Sequence, residues 1–223
     1  MDPTRLLYAL LAGLLLAAWC TCPARAQDTE WTVLFGGDST DGWSHVGKGQ
    51  VVLEDGMLKT KGGLGLLWYT ERKLGNAKLQ VEYRAVDSSN AGVHVRIPER
   101  PGGPWEAVHG GYEVQINPVG DSTHRTGTLY SLTEARAKVG GGNGWNTMTV
   151  TLDGARTVVH VNGTLVTDYT EGDPVPPRKA DYEPERGSRP DEGYIGLQNH
   201  GSGDTVYFRR VAVRPLEVRE EKE

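Results

Sequence analysis

Three segments of the sequence alternate apolar side chains with side chains that can do chemistry. In GYEVQIN (residues 111–117) a carboxylate and two amides occupy alternate positions. A histidine and an arginine do so in AGVHVRI (91–97), and a glutamine and a histidine in YIGLQNHG (194–201). Carboxylates and imidazoles transfer protons, guanidinium groups stabilise negative charge, and amides bond polar ligands. The polar residues are Glu113, Gln115, Asn117, His94, Arg96, Gln198 and His200.

The alternation itself predicts β-strands, because successive side chains of a strand point to opposite faces of the sheet. The apolar positions hold mostly valine, isoleucine and tyrosine, which are favoured in strands. If the three strands belong to one sheet and place their apolar sides on the same core, their polar sides line one common surface. That surface is the predicted functional site.

The rest of the chain also predicts an all-β fold. About a dozen short strand-like segments, among them Thr126–Leu132, are separated by turn residues, and no segment keeps a helical apolar period over three turns. Asp55-Gly56, Asp153-Gly154 and Asn162-Gly163 are typical of tight hairpins, which need positive φ. This pattern is typical of a β-sandwich or barrel.

Two long connections interrupt the strands, at 98–110 and 171–192. The first holds Trp105 and His109; the second holds five prolines and Tyr182 and runs directly into the strand with Gln198. Long loops are often functional or mobile. The second could cover the site, or it could be a variable surface loop.

Residues 1–26 are predicted to be a secretory signal peptide, with an apolar run followed by Ala24-Arg25-Ala26. An uncleaved anchor or a lipid anchor at Cys20 or Cys22 are the alternatives. We therefore expect an exported, periplasmic or extracellular protein with one domain at 27–216, a charged tail at 217–223 and no membrane span. A formal net charge of −5 argues against nucleic-acid partners.

Several motifs occur in a fixed order along the chain: WTVLFGGDSTDGW, EDGMLKTKGG, SSNAGVHVR, GYEVQIN, TGTLYSL, GWNTMTVTLDG and GYIGLQNHG. Together, over about residues 30–216, they resemble the 3-keto-disaccharide hydrolase domain family. The resemblance implies a concanavalin A-like jelly roll of two antiparallel sheets. It also implies an oligosaccharide or glycoside substrate already oxidised at C3.

For such a substrate we expect elimination or hydrolysis. A 3-keto group acidifies the proton on C2, and the glycosidic oxygen on C1 can then leave. This route needs a base at C2, a donor at O3 and an acid at the leaving oxygen. Glu113 is the predicted base, His200 the rival base or the acid, and Arg96 the partner of the enolate. Alternatively, Glu113 and Arg96 form a cross-strand ion pair and His200 supports a turn.

The remaining candidates are predicted to contact the substrate. Gln115, Gln198 and Asn90 would hold sugar hydroxyls, Tyr130 would donate a proton or pack against the ring, and Trp68 would stack on it. Both aromatics could instead be ordinary core or rim residues.

His94 is a further predicted substrate contact, at a position where the sequence departs from the family pattern. A divalent metal held by His94, Glu113 and His200 is possible in principle and would stabilise the enolate. No short ligand spacing supports such a site, and no Asp-rich loop argues for calcium.

Two other functions compete with the enzyme. A non-catalytic carbohydrate-binding module would use the aromatics and amides without a base, since fold does not determine function. In a structural or protein-binding domain, the side chains of the polar face would form ion pairs with one another and no cavity would be present.

Overall fold

The computed structural model describes residues 30–140 and 143–216. The predicted signal peptide (1–26) and charged tail (217–223) lie outside these residues. The described chain forms thirteen strands and one short helix, and none of its helices is long and apolar enough to cross a membrane. The elements are β1 Thr32–Phe35, β2 Trp43–Gly47, β3 Gln50–Glu54, β4 Met57–Lys61, β5 Gly65–Tyr69, β6 Ala77–Ala85, β7 Ala91–Ile97, α1 Pro104–Gly110, β8 Tyr112–Ile116, β9 Asn146–Asp153, β10 Arg156–Val161, β11 Thr164–Thr170, β12 Tyr194–Asn199 and β13 Val206–Pro215.

The strands form two antiparallel sheets. The larger has the order β11-β10-β9-β6-β13-β4-β3, with β1 paired to β13, and the smaller has the order β2-β5-β12-β7-β8. Their facing sides share one apolar core, to which the smaller sheet contributes Val93, Val114 and Leu197. The predicted all-β fold of two antiparallel sheets is thereby confirmed. The three segments with alternating polar residues are adjacent strands, β12, β7 and β8.

Tight turns join several strands as their sequences predict. Asp55-Gly56 and Asn162-Gly163 have positive φ at both residues. The third turn is centred one residue later than predicted, since Asp153 pairs with Arg156 at the strand ends.

The predicted strand Thr126–Leu132 is wrong, although the segment follows β8 closely. Its backbone bonds to β8 through Gln115 N–H to the Thr128 carbonyl (3.0 Å) and Tyr130 N–H to the Glu113 carbonyl (2.9 Å). Positive φ at Gly127 (88°) and Ser131 (58°) turns the backbone away from an extended path. The segment is therefore an irregular flank that brings Tyr130 beside Glu113.

The predicted loop at 98–110 contains the helix α1. Pro104 begins it, as proline can at a first helical position where no N–H partner is needed. Ala107 packs with Leu66, Trp68 and Ile97 on the outer face of the smaller sheet. The helix thus covers one half of that face and leaves the polar half open.

Candidate functional site

A cavity of about 650 Å³ lies over the polar half of the smaller sheet. It is large enough for a small glycoside, since ligand cavities commonly measure about 300–1,000 Å³. Six of the nine residues predicted to act in catalysis or to contact the substrate line it: Asn90, Glu113, Gln115, Tyr130, Gln198 and His200. The common polar surface inferred from the alternation of three strands is therefore present in the structure.

Glu113 is held at the floor of the cavity by its neighbours in the sheet. Its carboxyl lies over Gly92, where an added Cβ would be 2.6 Å from Oε1. Gly92 pairs with Gln115 on one side and with Gln198 on the other. With the Gln115 amide oriented to suit its neighbours, its Nε2 donates to Glu113 Oε1 (2.7 Å) and to the Ala91 carbonyl (3.2 Å). Two amides and a glycine thus fix the carboxyl.

Burial determines the charge of this carboxyl. Only 6% of Glu113 is exposed, and burial raises its pKa to about 8, an effect that the Gln198 amide partly offsets. Burial likewise lowers the pKa of His94 to about 4, partly offset by the Ala107 carbonyl. Glu113 Oε2 and His94 Nε2 are 3.8 Å apart. Because burial acts against both charges, we interpret them as two neutral groups at pH 7 rather than an ion pair.

His94 does not line the cavity, contrary to its predicted contact with the substrate, and is linked to Gln198 below the cavity surface. His94 is fully buried, and Gln198 Nε2 lies 3.3 Å from His94 Nε2. This arrangement requires Nε2 of the neutral imidazole to be the acceptor, because an amide nitrogen only donates. Gln198 Oε1 is buried and has no hydrogen-bond partner among the described residues.

Arg96 does not line the cavity, contrary to the expectation that it faces the same side as His94. It has φ 56°, and the register of β7 against β12 shifts beside it, which is a β-bulge. The extra residue inverts the alternation, so Ile97 packs under α1 instead of in the main core. The buried guanidinium donates to the Pro190 carbonyl (2.6 Å) and to the Gly154 carbonyl.

Trp68 also lies away from the cavity. Helix α1 covers its part of the sheet, the side chain is buried, and its ring meets Tyr194 edge to face at 5.0 Å between centroids. The alternative reading of Trp68 as a core aromatic is the one that fits this placement.

The other predicted residues occupy the cavity wall. His200 is exposed just after β12, and its Nδ1 lies 3.4 Å from Asp204 Oδ2. Asp204 also accepts from the Asn90 backbone N–H (2.7 Å), so it supports two cavity residues. Burial raises the pKa of Tyr130 to about 12, which keeps its hydroxyl protonated as a donor.

Two exposed aromatic residues line the cavity and were not among the predicted site residues. Trp105 of α1 is 48% exposed and Tyr182 of the 171–192 connection is 60% exposed. Exposed large aromatics beside a cavity are typical of sugar-binding surfaces, because their faces pack against pyranose rings. Their location in the two long connections was the available sequence signal, but loops have no periodicity that would predict their orientation.

The connection 171–192 is fixed by buried ionic groups. Arg189 donates from Nε to the Gly111 carbonyl (2.8 Å) and from Nη2 to the Glu185 carbonyl (2.7 Å). Arg186 contacts Glu183 (3.1 Å) and the Ser131 carbonyl (3.2 Å). Tyr182 is therefore presented to the cavity by an anchored segment.

Metal ligation by side chains finds no support in the geometry. Within residues 30–140 and 143–216, no three His, Cys, Asp or Glu side chains are arranged to hold a metal ion. The proposed set of His94, Glu113 and His200 is not assembled, because His200 lies at the rim beside Asp204.

Comparison with known proteins agrees with this fold. A family model described as a 3-keto-alpha-glucoside-1,2-lyase-like domain matches residues 30–214. An inferred glycosyl hydrolase from Parabacteroides distasonis is 23% identical with TM-score 0.64, covering 84% of this chain and 100% of its own. A second from that bacterium is 20% identical with TM-score 0.66, covering 84% and 94%.

A more distant solved structure is the carbohydrate-binding module CBM66 from Bacillus subtilis. It is 14% identical with TM-score 0.53, covering 78% of this chain and 95% of its own. Identities this low show a shared fold and nothing about activity. The jelly-roll class is thereby confirmed. No protein of curated function matches the chain.

Replacing Arg96 with methionine should destabilise the fold. The substitution leaves the Gly154 and Pro190 carbonyls without their donors, which should cost about 2–4 kcal/mol in urea unfolding. Arg100→Met, at an exposed position, is the control. A catalytic enolate partner would behave differently, since its loss would reduce turnover at unchanged stability.

The stability of the protein should depend on pH through Glu113. In the unfolded chain a glutamate ionises near pH 4.3, whereas in the fold the pKa is about 8. Between these values the folded state retains a proton that the unfolded state has lost, so stability falls as pH rises. The free energy of unfolding of Glu113→Gln, relative to that of the wild type, should therefore increase by up to about 1.4 kcal/mol per pH unit until pH 8.

Urea unfolding at pH 5 to 8 measures this difference, with Glu99→Gln, an exposed carboxylate, as the matched control. His94 affects both proteins alike and cancels in the comparison. An equal loss of stability in Glu113→Gln at every pH would instead indicate a charged pair with His94.

Proposed function

We propose a function from the premise that this chain belongs to the family of 3-keto-alpha-glucoside-1,2-lyase-like domains. The proposed function is cleavage of glycosides already oxidised to a ketone at C3. Family membership supports a carbohydrate-active protein in general. The 3-keto substrate follows the description of the family, and the elimination chemistry is our inference from the single carboxyl of the cavity.

The observation that carries the proposal is a single buried carboxyl. Among the described residues that line the cavity, Glu113 is the sole carboxyl. Ordinary glycosidases use two, about 5–9.5 Å apart, to stabilise an oxocarbenium-like transition state. Elimination from a 3-keto sugar needs only one base of raised pKa, which agrees with the burial of Glu113.

The proposed reaction begins with transfer of the C2 proton to the Glu113 carboxylate. The C–H electron pair forms a C2=C3 double bond, and the ketone oxygen becomes an enolate. Return of this pair restores the C3 ketone, forms the C1=C2 double bond and breaks the bond from C1 to the glycosidic oxygen. The leaving oxygen takes a proton, so the products are a 1,2-unsaturated 3-keto sugar and an alcohol or sugar.

Other cavity groups supply the hydrogen bonds for this reaction. With Arg96 outside the cavity, the enolate must be stabilised by neutral donors such as the protonated Tyr130 hydroxyl. His200, which lines the cavity at its rim, would protonate a leaving group that extends toward solvent. Trp105 and Tyr182 would pack against the sugar rings. We also propose that the protein acts after export, as its N-terminal sequence predicts.

A non-catalytic carbohydrate-binding module is the second candidate. The exposed aromatics Trp105 and Tyr182 favour it, as does the fold shared with CBM66. A binding module has no need of a buried carboxyl with raised pKa, since desolvation costs free energy that a neutral amide would not. For that reason we prefer the enzyme.

Wild-type protein should release the aglycone from a 3-keto-α-glucoside, and Glu113→Gln should lose about 10²–10⁴-fold in kcat/KM. With a carboxylate base, kcat/KM should rise about tenfold per pH unit and level off above pH 8. The unsaturated sugar is measured by chromatography, and exchange of deuterium from D₂O into C2 of the recovered substrate marks reversible proton abstraction.

Glu99→Gln should retain wild-type kinetics. If the wild type binds sugars but cleaves none of the 3-keto-glycosides, the binding-module function replaces the enzyme. A pH profile that is flat between 6 and 8 would remove Glu113 as the base.

Removing the rim aromatics should weaken binding more than chemistry. Trp105→Ala should raise KM about 3- to 10-fold with little change in kcat, as an aromatic contact contributes about 0.5–1.5 kcal/mol. Val119→Ala, at an exposed apolar side chain, is the matched control. A fall in kcat at constant KM would instead indicate that Trp105 orders the helix beside Glu113.

A further inference from the structure

The buried amide of Gln198 has a polar atom that the fold leaves unused. Gln198 is 2% exposed, and its Oε1 has no hydrogen-bond partner among the described residues. An unpaired buried carbonyl is costly, and such groups are rare in folded proteins. Gln198 also lines the cavity, so its amide lies at the cavity floor, directly beneath a bound molecule.

The nitrogen of this amide faces His94 and Glu113. Its Nε2 lies 3.3 Å from His94 Nε2 and is also close enough to Glu113 to offset part of that carboxyl's raised pKa. With the nitrogen on this side, Oε1 lies on the other side of the amide, where no described residue donates to it. Oε1 must therefore present itself to the ligand as an acceptor only.

A ligand group that satisfies Gln198 Oε1 must donate a hydrogen bond. This step rests on the proposed function, in which Glu113 acts at C2. Gln198 pairs with Gly92, the glycine over which the Glu113 carboxyl lies. Near C2, the C3 ketone has no hydrogen to donate, whereas the hydroxyl on C2 does. We propose that Gln198 is a specificity-determining residue that accepts a hydrogen bond from the 2-hydroxyl of the substrate, and that His94 is the positioning residue that holds it.

This arrangement discriminates against substrates that lack the 2-hydroxyl. A site with a buried acceptor rejects analogues without the donor strongly, because the protein atom then stays both desolvated and unpaired. The substrate class is therefore 3-keto-glycosides with a free 2-hydroxyl, in preference to 2-deoxy sugars.

The test is a two-by-two comparison of enzyme and substrate. Wild type and Gln198→Leu are each measured with a 3-keto-α-glucoside and its 2-deoxy analogue. The intrinsic acidity of C2 differs between the two sugars, but it cancels when the preference of the variant is divided by that of the wild type. We expect the preference for the hydroxyl substrate to fall at least tenfold in Gln198→Leu.

His94→Ala should lower the same preference, and the double variant should lose no more than Gln198→Leu alone, because both act through one amide. Tyr130→Phe, another polar cavity residue, is the control whose preference should equal that of the wild type. Gln198→Met provides a second apolar variant if leucine disturbs folding. An unchanged preference in both Gln198 variants would overturn the proposal.

A binding measurement separates this inference from the proposed function. The 1-deoxy 3-keto sugar has no leaving group, so its affinity, measured by calorimetry, requires no catalysis. Tighter binding of the form with a 2-hydroxyl by wild type, abolished in Gln198→Leu, would support the contact even if no glycoside were cleaved. Cleavage without any such discrimination would leave the enzyme standing and refute the role of Gln198.

Discussion

The structure of the site depends on the burial of one carboxyl without a compensating cation. Glu113 lies under the cavity surface, 3.8 Å from an imidazole that is itself fully desolvated. An ionised carboxylate is strongly disfavoured there, so its pKa is raised and its carboxylate form is a strong base. The surrounding fold must hold this unfavourable group, which requires a rigid sheet, close amides and a neighbour without a side chain.

The sandwich provides these conditions through the different uses of the two faces of its smaller sheet. The inner face adds Val93, Val114 and Leu197 to the main core, and that burial stabilises the strands. The outer face is divided between an apolar half under α1 and a polar half that forms the cavity floor. Because all these side chains belong to strands paired in register, their separations are determined by backbone hydrogen bonds and not by loop conformation.

The sequence predicted the sheet-borne part of this arrangement because a strand has a fixed period. Glu113, Gln115 and Gln198 alternate with core residues, so their common face follows once their strands share a sheet. Arg96 broke the rule, since a bulge inserts one residue and reverses the parity beyond it. Trp68 obeyed the rule but was covered by a seven-residue helix, too short to show a helical apolar period. Trp105 and Tyr182 lie in connections, where no repeat relates sequence to direction.

The observed position of Arg96 fits the proposed elimination chemistry better than its predicted position in the cavity would. A guanidinium within about 4–6 Å of Glu113 would stabilise the carboxylate and lower its pKa by about 1–3 units, which would make it a weaker base. The bulge instead directs the guanidinium toward the Gly154 and Pro190 carbonyls and the acidic Asp191 and Glu171. Because of this one inserted residue, the Arg96 guanidinium lies away from Glu113 and anchors the connection that carries Tyr182. The loss of an enolate partner is the cost, and neutral donors such as Tyr130 must then stabilise the developing charge without suppressing the basicity of Glu113.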